Sequence, residues 1–568
     1  MTRNRRTTPA VSIRPLDRAP AGTPMSVSLR STRDLGTGNW RTFRPTYVTR
    51  PSPCNLDCPA GTDVRAFLSL AANGDVLGAW RTIREHNPLP GVCGRVCYHP
   101  CELACNRLVL DEPIAVHAIE RAIADEARAR GAGAEPVADA HRTPVAVVGA
   151  GPAGLSAAYH LARRGYDVTV FDAMPEPGGM LRYGIPEYRL PREALEGEIE
   201  LLRQMGIRFV GDVRFGADRD APDLADYAAS FVAIGAQRSR SARVPGEDLP
   251  GVRSGVDYLR EVNTGHAEAT SGPAAVIGGG NTALDTARAL RRLGAAPTIV
   301  YRRSREDMPA HPDEIAQAEA EGIEFVFYAA PQAFVGSATG LARVEFQRMR
   351  PGAPDASGRP RPEPIPGSTF AIETAQAYTA IGEEVETEQL AQIVDSANGR
   401  LRADRWGRTD KPAVFAGGDA ATGAGTVVEA IGSGRRAADA IDGYLHGRDP
   451  VEGGQAARVG PSDVNLFYFG RSPRARPEML RSDRAVTSFA EVVGDLAWQH
   501  AVDEAQRCLT CGSCTTCDNC LIFCPDVAIE RNPATGLYTI DLAHCKGCGI
   551  CVEECPRGAI ELTAEKQR

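Results

Sequence analysis

No apolar run in this sequence approaches the ~18 residues that a membrane-spanning helix needs, so no transmembrane segment is expected. The N-terminal stretch is Arg-, Thr- and Pro-rich without an apolar core, which excludes a secretory signal and reads as a flexible leader over 1–45. Basic charge is not in excess either. The net charge of −8 at pH 7 argues against nucleic acid as the main partner. Cysteine is missing from the whole middle of the chain: of 16, none lies between Cys105 and Cys508. The tight spacings inside the two terminal groups suit metal clusters and a reducing cytoplasm better than a disulfide framework.

What is present is globular. The 568 residues are 43% hydrophobic and 24% charged, enough for three or four domains. Val145–Val148 reads as a strand, Gly149-Ala150-Gly151-Pro152-Ala153-Gly154 as a tight turn into a helix, and Val168–Phe171 as a second strand ending at Asp172. In this dinucleotide fingerprint Gly149 makes the turn, Gly151 lets backbone approach a pyrophosphate, and Gly154 lets helix pack on strand. The helix N-terminus, through Pro152 and Ala153, offers free N–H groups to phosphate. Asp172 stands 18 residues after Gly154, where it can bind a ribose hydroxyl. The loop Pro177–Pro186, with Gly179 and Met180, suits a path along a flavin ring. Val414–Asp419 is a strand delivering Gly418 and Asp419 to a turn, and Thr426-Val427 opens a helix. Both fit a return to the first fold, with Asp419 near the ribityl chain.

A second strand–turn–helix begins at Ala275, with Gly278, Gly280, Asn281 and Thr282 in the turn. Its second strand ends at Tyr301-Arg302-Arg303 instead of an acid. Two arginines there suit the 2′-phosphate of NADP(H) over the bare hydroxyl of NAD(H). Residues 345–400 say little, and the Pro/Gly-rich stretch Arg350–Pro366 reads as a loop.

The C-terminal cysteines are the most specific signal. Cys514, Cys517, Cys520 and Cys524-Pro525 recur 31 residues later as Cys545, Cys548, Cys551 and Cys555-Pro556. This is the two-cluster ferredoxin pattern, in which the fourth Cys of each run ligates the other cluster. One [4Fe–4S] cluster is therefore expected on Cys514, Cys517, Cys520 and Cys555, the other on Cys545, Cys548, Cys551 and Cys524. The N-terminal group (Cys54, Cys58, Cys93, Cys97, Cys101, Cys105) also suits iron–sulfur ligation, with zinc as the competing reading.

With these residues in hand, 51–450 resembles the family of the glutamate synthase small subunit, which also includes the large subunit of electron-bifurcating NADH-dependent ferredoxin:NADP oxidoreductase and the N-terminal half of dihydropyrimidine dehydrogenase. The matching pieces are Cys93–Cys97, the Gly149 fingerprint, Pro177–Pro186, Gly278–Ala283, Tyr301–Arg303 and Ala416–Asp419. By this resemblance one cluster is held by Cys58, Cys97, Cys101 and Cys105. A second would take three cysteines and a Gln or Glu that matches Glu120, which otherwise reads as a solvated surface residue. The family's opening cysteine pair is absent from the N-terminus, and Asp503–Cys511 resembles it instead. Cys508, Cys511, Cys54 and Glu120 are thus expected to complete a cluster joining the chain ends, or else Cys508 and Cys511 are spare thiols and the chain holds three clusters. Cys93 has no assigned role.

The expected fold is α/β: a helical iron–sulfur domain (46–140), an FAD-binding Rossmann-like domain (143–265 and 405–450), an NAD(P)H-binding one (270–400), a linker (451–505) and a small α+β ferredoxin-like domain (506–568). No Cys-x-x-Cys stands beside either nucleotide fold, which excludes a disulfide reductase. No side chain need act as a nucleophile, since hydride transfer at flavin N5 is cofactor chemistry. The expected protein is a cytoplasmic oxidoreductase passing electrons between NAD(P)H and low-potential clusters of a ferredoxin or partner subunit, for example a 2-oxoacid oxidoreductase. The alternatives are a glutamate synthase small subunit feeding a large amidotransferase subunit, and a non-catalytic electron-transfer scaffold.

Overall fold

The computed structural model describes residues 36–135, 137, 142–218, 221–356, 358–450 and 457–565. The chain divides into two compact units, one of residues 51–461 and 469–511, the other of residues 1–50, 462–468 and 512–568. Among the described residues, no helix is long and apolar enough to cross a membrane.

The larger unit contains two five-stranded parallel sheets. The first has the strand order Val414–Ala416, Ala229–Val232, Pro144–Val148, Asp167–Phe171, Arg208–Val210. Its central strands are apolar on both faces because helices cover both sides, as parallel sheets require. Helices Pro152–Arg163 and Val427–Leu445 pack together on it. The second sheet runs Glu324–Phe327, Ala295–Tyr301, Gly272–Ile277, Ala377–Thr379, Val252–Ser254. Strand Val252–Ser254 and the following helix Gly255–Asn263 therefore belong to the second fold, although the sequence placed 143–265 in the first.

Two further boundaries differ from expectation. The stretch read as a loop over 350–366 is a long hairpin, Gly340–Pro354 paired with Pro360–Glu373, carried on a three-stranded antiparallel sheet with Ala329–Ser337. Its prolines sit where the register shifts and on the outer strand, which is where a ladder tolerates a missing N–H. The expected linker 451–505 contains the helix Trp498–Gln506, whose Ala501 and Ala505 bury against Phe67, Leu68 and Ile119 of the helical domain. Positions 451–456 lie outside the described residues.

Buried ion pairs fix the helical domain and the two folds to one another. Arg84, fully buried, reaches Glu135 at 2.6 Å and Glu198 at 3.4 Å, and Tyr159 of the first fold donates to the Arg84 carbonyl at 2.7 Å. Arg189 pairs with Asp285 of the second fold at 2.6 Å, and the Tyr188 hydroxyl donates to the same carboxylate at 3.1 Å. Breaking one partner of such a pair strands a buried charge, which costs several kcal/mol, about 3–5.

The smaller unit carries the ferredoxin-type cysteines. Strand Ile529–Arg531 pairs with Tyr538–Ile540, and the C-terminal strand Ile560–Ala564 pairs antiparallel with Phe43–Tyr47. Residues 37–45 are thus a short 3-10 turn and part of a strand instead of leader, because the last strand of the module needs a partner for its edge. Positions 1–35 of the expected leader lie outside the described residues.

Candidate cofactor cavity and thiol clusters

A cavity of about 1780 Å³ lies in the larger unit and is lined by both glycine turns, Gly149 and Gly151 on one side and Gly278 and Gly280 on the other. Gly149 has φ +106° and Gly278 φ +149°, and a side chain on either would strike backbone of the neighbouring strand, the Ala233 carbonyl at 2.3 Å or the Ala380 carbonyl at 2.1 Å. Only glycine fits either turn. A Cβ on Gly151 meets nothing within 4 Å. The open space in front of the turn is where a pyrophosphate would sit, on the N-terminus of helix Pro152–Arg163. Such a volume exceeds that of a single drug-sized site, roughly 300–1,000 Å³, and the two turns suit two dinucleotides.

Asp172 follows strand Asp167–Phe171 and lines the cavity. Its carboxylate accepts from the Ala150 N–H at 2.6 Å and the Met174 N–H at 2.8 Å, while burial pushes its carboxyl up. Gly179 and Met180, Pro152 and Ala153, Gly418, Asp419, Thr426 and Val427 line the same cavity. Asp419 is raised to about 6, by burial first, with Glu429 and Glu383 adding and a backbone hydrogen bond from Gly425 opposing. Thr426 caps helix Val427–Leu445 with Glu429 in a reciprocal capping box. In the second fold Asn281 accepts from the His311 N–H at 3.2 Å and Thr282 donates to Glu383 at 3.0 Å. Glu383 also lines the cavity.

The two predicted arginines part company. Arg302 is exposed and lines the cavity. Arg303 lines it too, but is buried, pairs with Asp355 and donates from Nε to the Pro360 carbonyl at 2.9 Å. Both partners belong to the hairpin that sequence reading took for a loop.

The cysteines of the larger unit fall into two groups. Burial pushes the Cys54 thiol up, and its neighbours Cys508, Cys105 and Cys511 add to the effect. Cys511 is pushed up to about 12 by burial and then by Cys508, and Asn106 donates to its sulfur at 3.5 Å. The second group is Cys58, Cys93, Cys97 and Cys101, which line a small interior cavity together with Glu120. Burial raises Cys58, Cys93 and Cys97, and Glu120 adds to each. The Glu120 carboxyl itself rises to about 8, through burial, with Asn87 donating to it at 2.9 Å. The structure therefore divides these residues differently from the expected sets: Cys105 stands with Cys54, Cys508 and Cys511, and Glu120 with Cys58, Cys97 and Cys101. The reason is geometric. Cys105 directly precedes the 3-10 turn Asn106–Val109, whose Arg107 holds the Arg507 carbonyl and so brings Cys508 beside it. Glu120 instead projects from helix Val116–Ala129.

In the smaller unit the thiols that raise buried Cys520 are Cys514, Cys517 and Cys555. Cys545 is raised by burial and by Cys524 and Cys548, and Cys551 by these same three thiols and Cys520. Cys555 thus neighbours the first run of thiols and Cys524 the second. Tyr47, from the N-terminal strand, stands 3.2 Å from the Cys520 sulfur.

Thiols massed in burial and raised in this way are poor nucleophiles. What their chemistry suits is soft metal, which holds them as thiolates. Among the described residues all sixteen cysteines are free of disulfides. Residues missed from sequence include Glu383, Val96, Tyr98 and Arg359, all lining the large cavity. No local signal marked them, since each reaches the site through tertiary packing.

Fold and cavity define a flavin- and pyridine-nucleotide-type oxidoreductase with iron–sulfur domains. The chain belongs to the pyridine nucleotide-disulphide oxidoreductase family, whose model matches residues 143–434. Residues 47–132 match dihydropyrimidine dehydrogenase domain II with its 4Fe-4S cluster, and residues 538–561 a 4Fe-4S binding domain. Among curated relatives, the NADP(+)-dependent formate dehydrogenase subunit beta of Moorella thermoacetica is 39% identical over 83% of this chain and 71% of that protein. The NADPH-Fe(3+) oxidoreductase subunit beta of Geobacter sulfurreducens is 36% identical over 81% and 75%. The glutamate synthase [NADPH] small chain of Azospirillum brasilense is 34% identical over 69% and 86%. These matches make the chain an iron–sulfur oxidoreductase of the FAD and NADP type, related to proteins named as subunits of larger enzymes.

Proposed function

We propose that this chain is the NADP(H)-handling subunit of a larger redox enzyme, and that it holds four [4Fe–4S] clusters for electron exchange with a partner subunit. The observation that carries the reading is one helix start shared by two sites. Val427 lines the large cavity, and its neighbour Val428 lines the small cavity that holds Cys58, Cys97, Cys101 and Glu120.

FAD would lie on the Gly149 side, with Gly151 and the helix N-terminus at its pyrophosphate and Asp172 at its ribose. NADP(H) would lie on the Gly278 side, with Arg302 at the 2′-phosphate. When bound, FAD supplies the conversion between two-electron hydride chemistry and the one-electron chemistry of iron–sulfur clusters. The protein's own work is placement. The buried Arg189–Asp285 pair ties the two nucleotide folds together, and buried Val428 lines the thiol cavity next to Val427 of the large one. In the larger unit Cys58, Cys97, Cys101 and Glu120 would hold one cluster, and Cys54, Cys105, Cys508 and Cys511 another. In the smaller unit the two crossed sets of ferredoxin-type cysteines would hold two more.

The relatives' names point to a partner that carries the terminal substrate. A formate dehydrogenase, an iron(III) reductase and a glutamate synthase all use such a subunit by name. The test is anaerobic purification from the native source, with iron and flavin analysis and mass identification of whatever accompanies the chain. About sixteen iron per FAD, at four per cubane, together with a companion oxidoreductase subunit, is the expected result. About twelve iron refutes the fourth cluster, and a chain that purifies alone refutes the subunit reading.

A further inference from the structure

Arg303 occupies the position where a second cation for the adenosine 2′-phosphate was expected, yet it is buried and paired with Asp355. It lines the cavity beside Arg302, but its guanidinium is engaged by the hairpin and tethers it. Asp355 and the Pro360 carbonyl, both held by Arg303, bracket the tip of the long hairpin. The tip is tight: the Asp355 N–H donates to the Arg359 carbonyl and the Gly358 N–H to the Asp355 carbonyl, both at 2.9 Å. Arg359 is consequently carried to the end of strand Ala295–Tyr301. There its Nη1 donates to the Asp307 carbonyl at 3.4 Å, the same carbonyl that takes the Tyr301 hydroxyl at 3.0 Å. The end of that strand is where this class of fold places the adenosine ribose. Arg359 and Arg302 both line the cavity there.

Resting on the NADP(H) reading above, we infer that Arg359 is a specificity-determining residue for the 2′-phosphate. It completes with Arg302 a two-arginine clamp whose second arm comes from the inserted hairpin, not from the nucleotide fold itself. A guanidinium carried on a hairpin tip and lining the cavity suits charge-assisted bonds to a phosphate dianion. Asp355 is needed to hold the arm in place and Arg303 to hold Asp355.

The test uses the full-length, cofactor-loaded protein under nitrogen. KM for NADPH and NADH is measured beside calorimetric binding of 2′,5′-ADP and 5′-ADP. In Arg359→Ala, KM for NADPH and the Kd for 2′,5′-ADP rise roughly ten- to hundredfold, as expected for one charged hydrogen-bonding arm. NADH and 5′-ADP stay as in the unaltered protein. Arg359→Lys recovers part of the loss. Asp355→Ala reproduces the selective defect without touching either clamp residue. Equal loss for all four nucleotides, or no loss for any, overturns the inference. An unaltered protein that fails to prefer NADPH over NADH overturns the NADP(H) reading itself. A preference that survives Arg359→Ala but not Arg302→Ala overturns only the clamp.

Discussion

The two nucleotide folds of the larger unit follow one plan, and counting from the first glycine of each turn aligns them: Gly149 with Gly278, Gly154 with Ala283, His160 with Ala289, Asp172 with Tyr301. Three of those four positions differ, and each difference has a physical consequence. At Gly154 a Cβ would stand 1.9 Å from the Gly149 carbonyl, so helix and turn are in contact there. The second fold accepts Ala283 at this position, its methyl buried in the core. Asp172 closes the first fold's strand with a carboxylate tied to two backbone amides. Tyr301 and Arg302 close the second with a phenol and a cation. His160 places a titratable ring in a core where the second fold has a methyl group. On the function proposed above, the first fold would hold FAD and the second a dinucleotide with an extra phosphate.

The largest effect that would separate the two folds is a methyl at Gly154. Gly154→Ala forces the helix off the turn, and purified protein should carry little or no flavin, read from its visible absorbance. The reverse change, Ala283→Gly, should cost only about 1 kcal/mol of stability, the helix propensity difference, and leave flavin content alone. A flavin-replete Gly154→Ala protein would break the comparison. Next is charge at the strand ends. Arg302→Ala should raise KM for NADPH roughly tenfold or more, the scale of one charged hydrogen bond, with NADH little changed. Asp172→Ala should instead lower flavin occupancy after dialysis and leave the NADPH/NADH ratio unaltered. If either variant showed the other's phenotype, the two folds would have been assigned in the wrong order.

The smallest effect is the pH dependence of His160. Burial holds this ring well below the usual histidine range, with Arg164 and Arg435 adding, although it is hydrogen-bonded to the His86 carbonyl at 3.2 Å. Folded, it is neutral; unfolded, it takes a proton near pH 6.5. The unfolded chain therefore binds more protons below that pH, and the ring's contribution to stability is present above it and lost as pH falls. The slope is up to about 1.4 kcal/mol per pH unit for one such group. The fall in Tm between pH 7 and pH 5 should be shallower in His160→Gln. An unchanged slope would show that other groups, His86 among them, dominate.

Much of this was legible in the sequence, and the reason is locality. Each glycine turn, its flanking strands and its following helix lie within some thirty residues, and each constrains backbone by itself. The ferredoxin-type cysteine runs are legible because the motif repeats. What stayed hidden depends on partners remote in sequence. The strand Phe43–Tyr47 exists because Ile560–Ala564 needs an edge partner, and nothing in its own residues announces it. The hairpin 340–373 was obscured by prolines, which signal turns except on outer strands and at register shifts. Among the cysteines, the structure places Cys105 with Cys54, Cys508 and Cys511, and Glu120 with Cys58, Cys97 and Cys101, the reverse of the expected division. Which thiols share a pocket is decided by how Arg107 holds the Arg507 carbonyl, a contact across 400 residues.

The central claim is that the nucleotide cavity and the buried thiol groups form one electron path. The most direct measurement is an anaerobic titration of the purified protein with NADPH, followed by visible absorbance for flavin and by low-temperature electron paramagnetic resonance for clusters. NADPH should bleach the flavin, and reduced-cluster signals should appear in the same titration. Cys97→Ser, which removes a proposed ligand beside the cavity, should abolish the cluster signals while flavin bleaching persists. Flavin that stays oxidised under NADPH would contradict the account, as would cluster signals that survive Cys97→Ser unchanged.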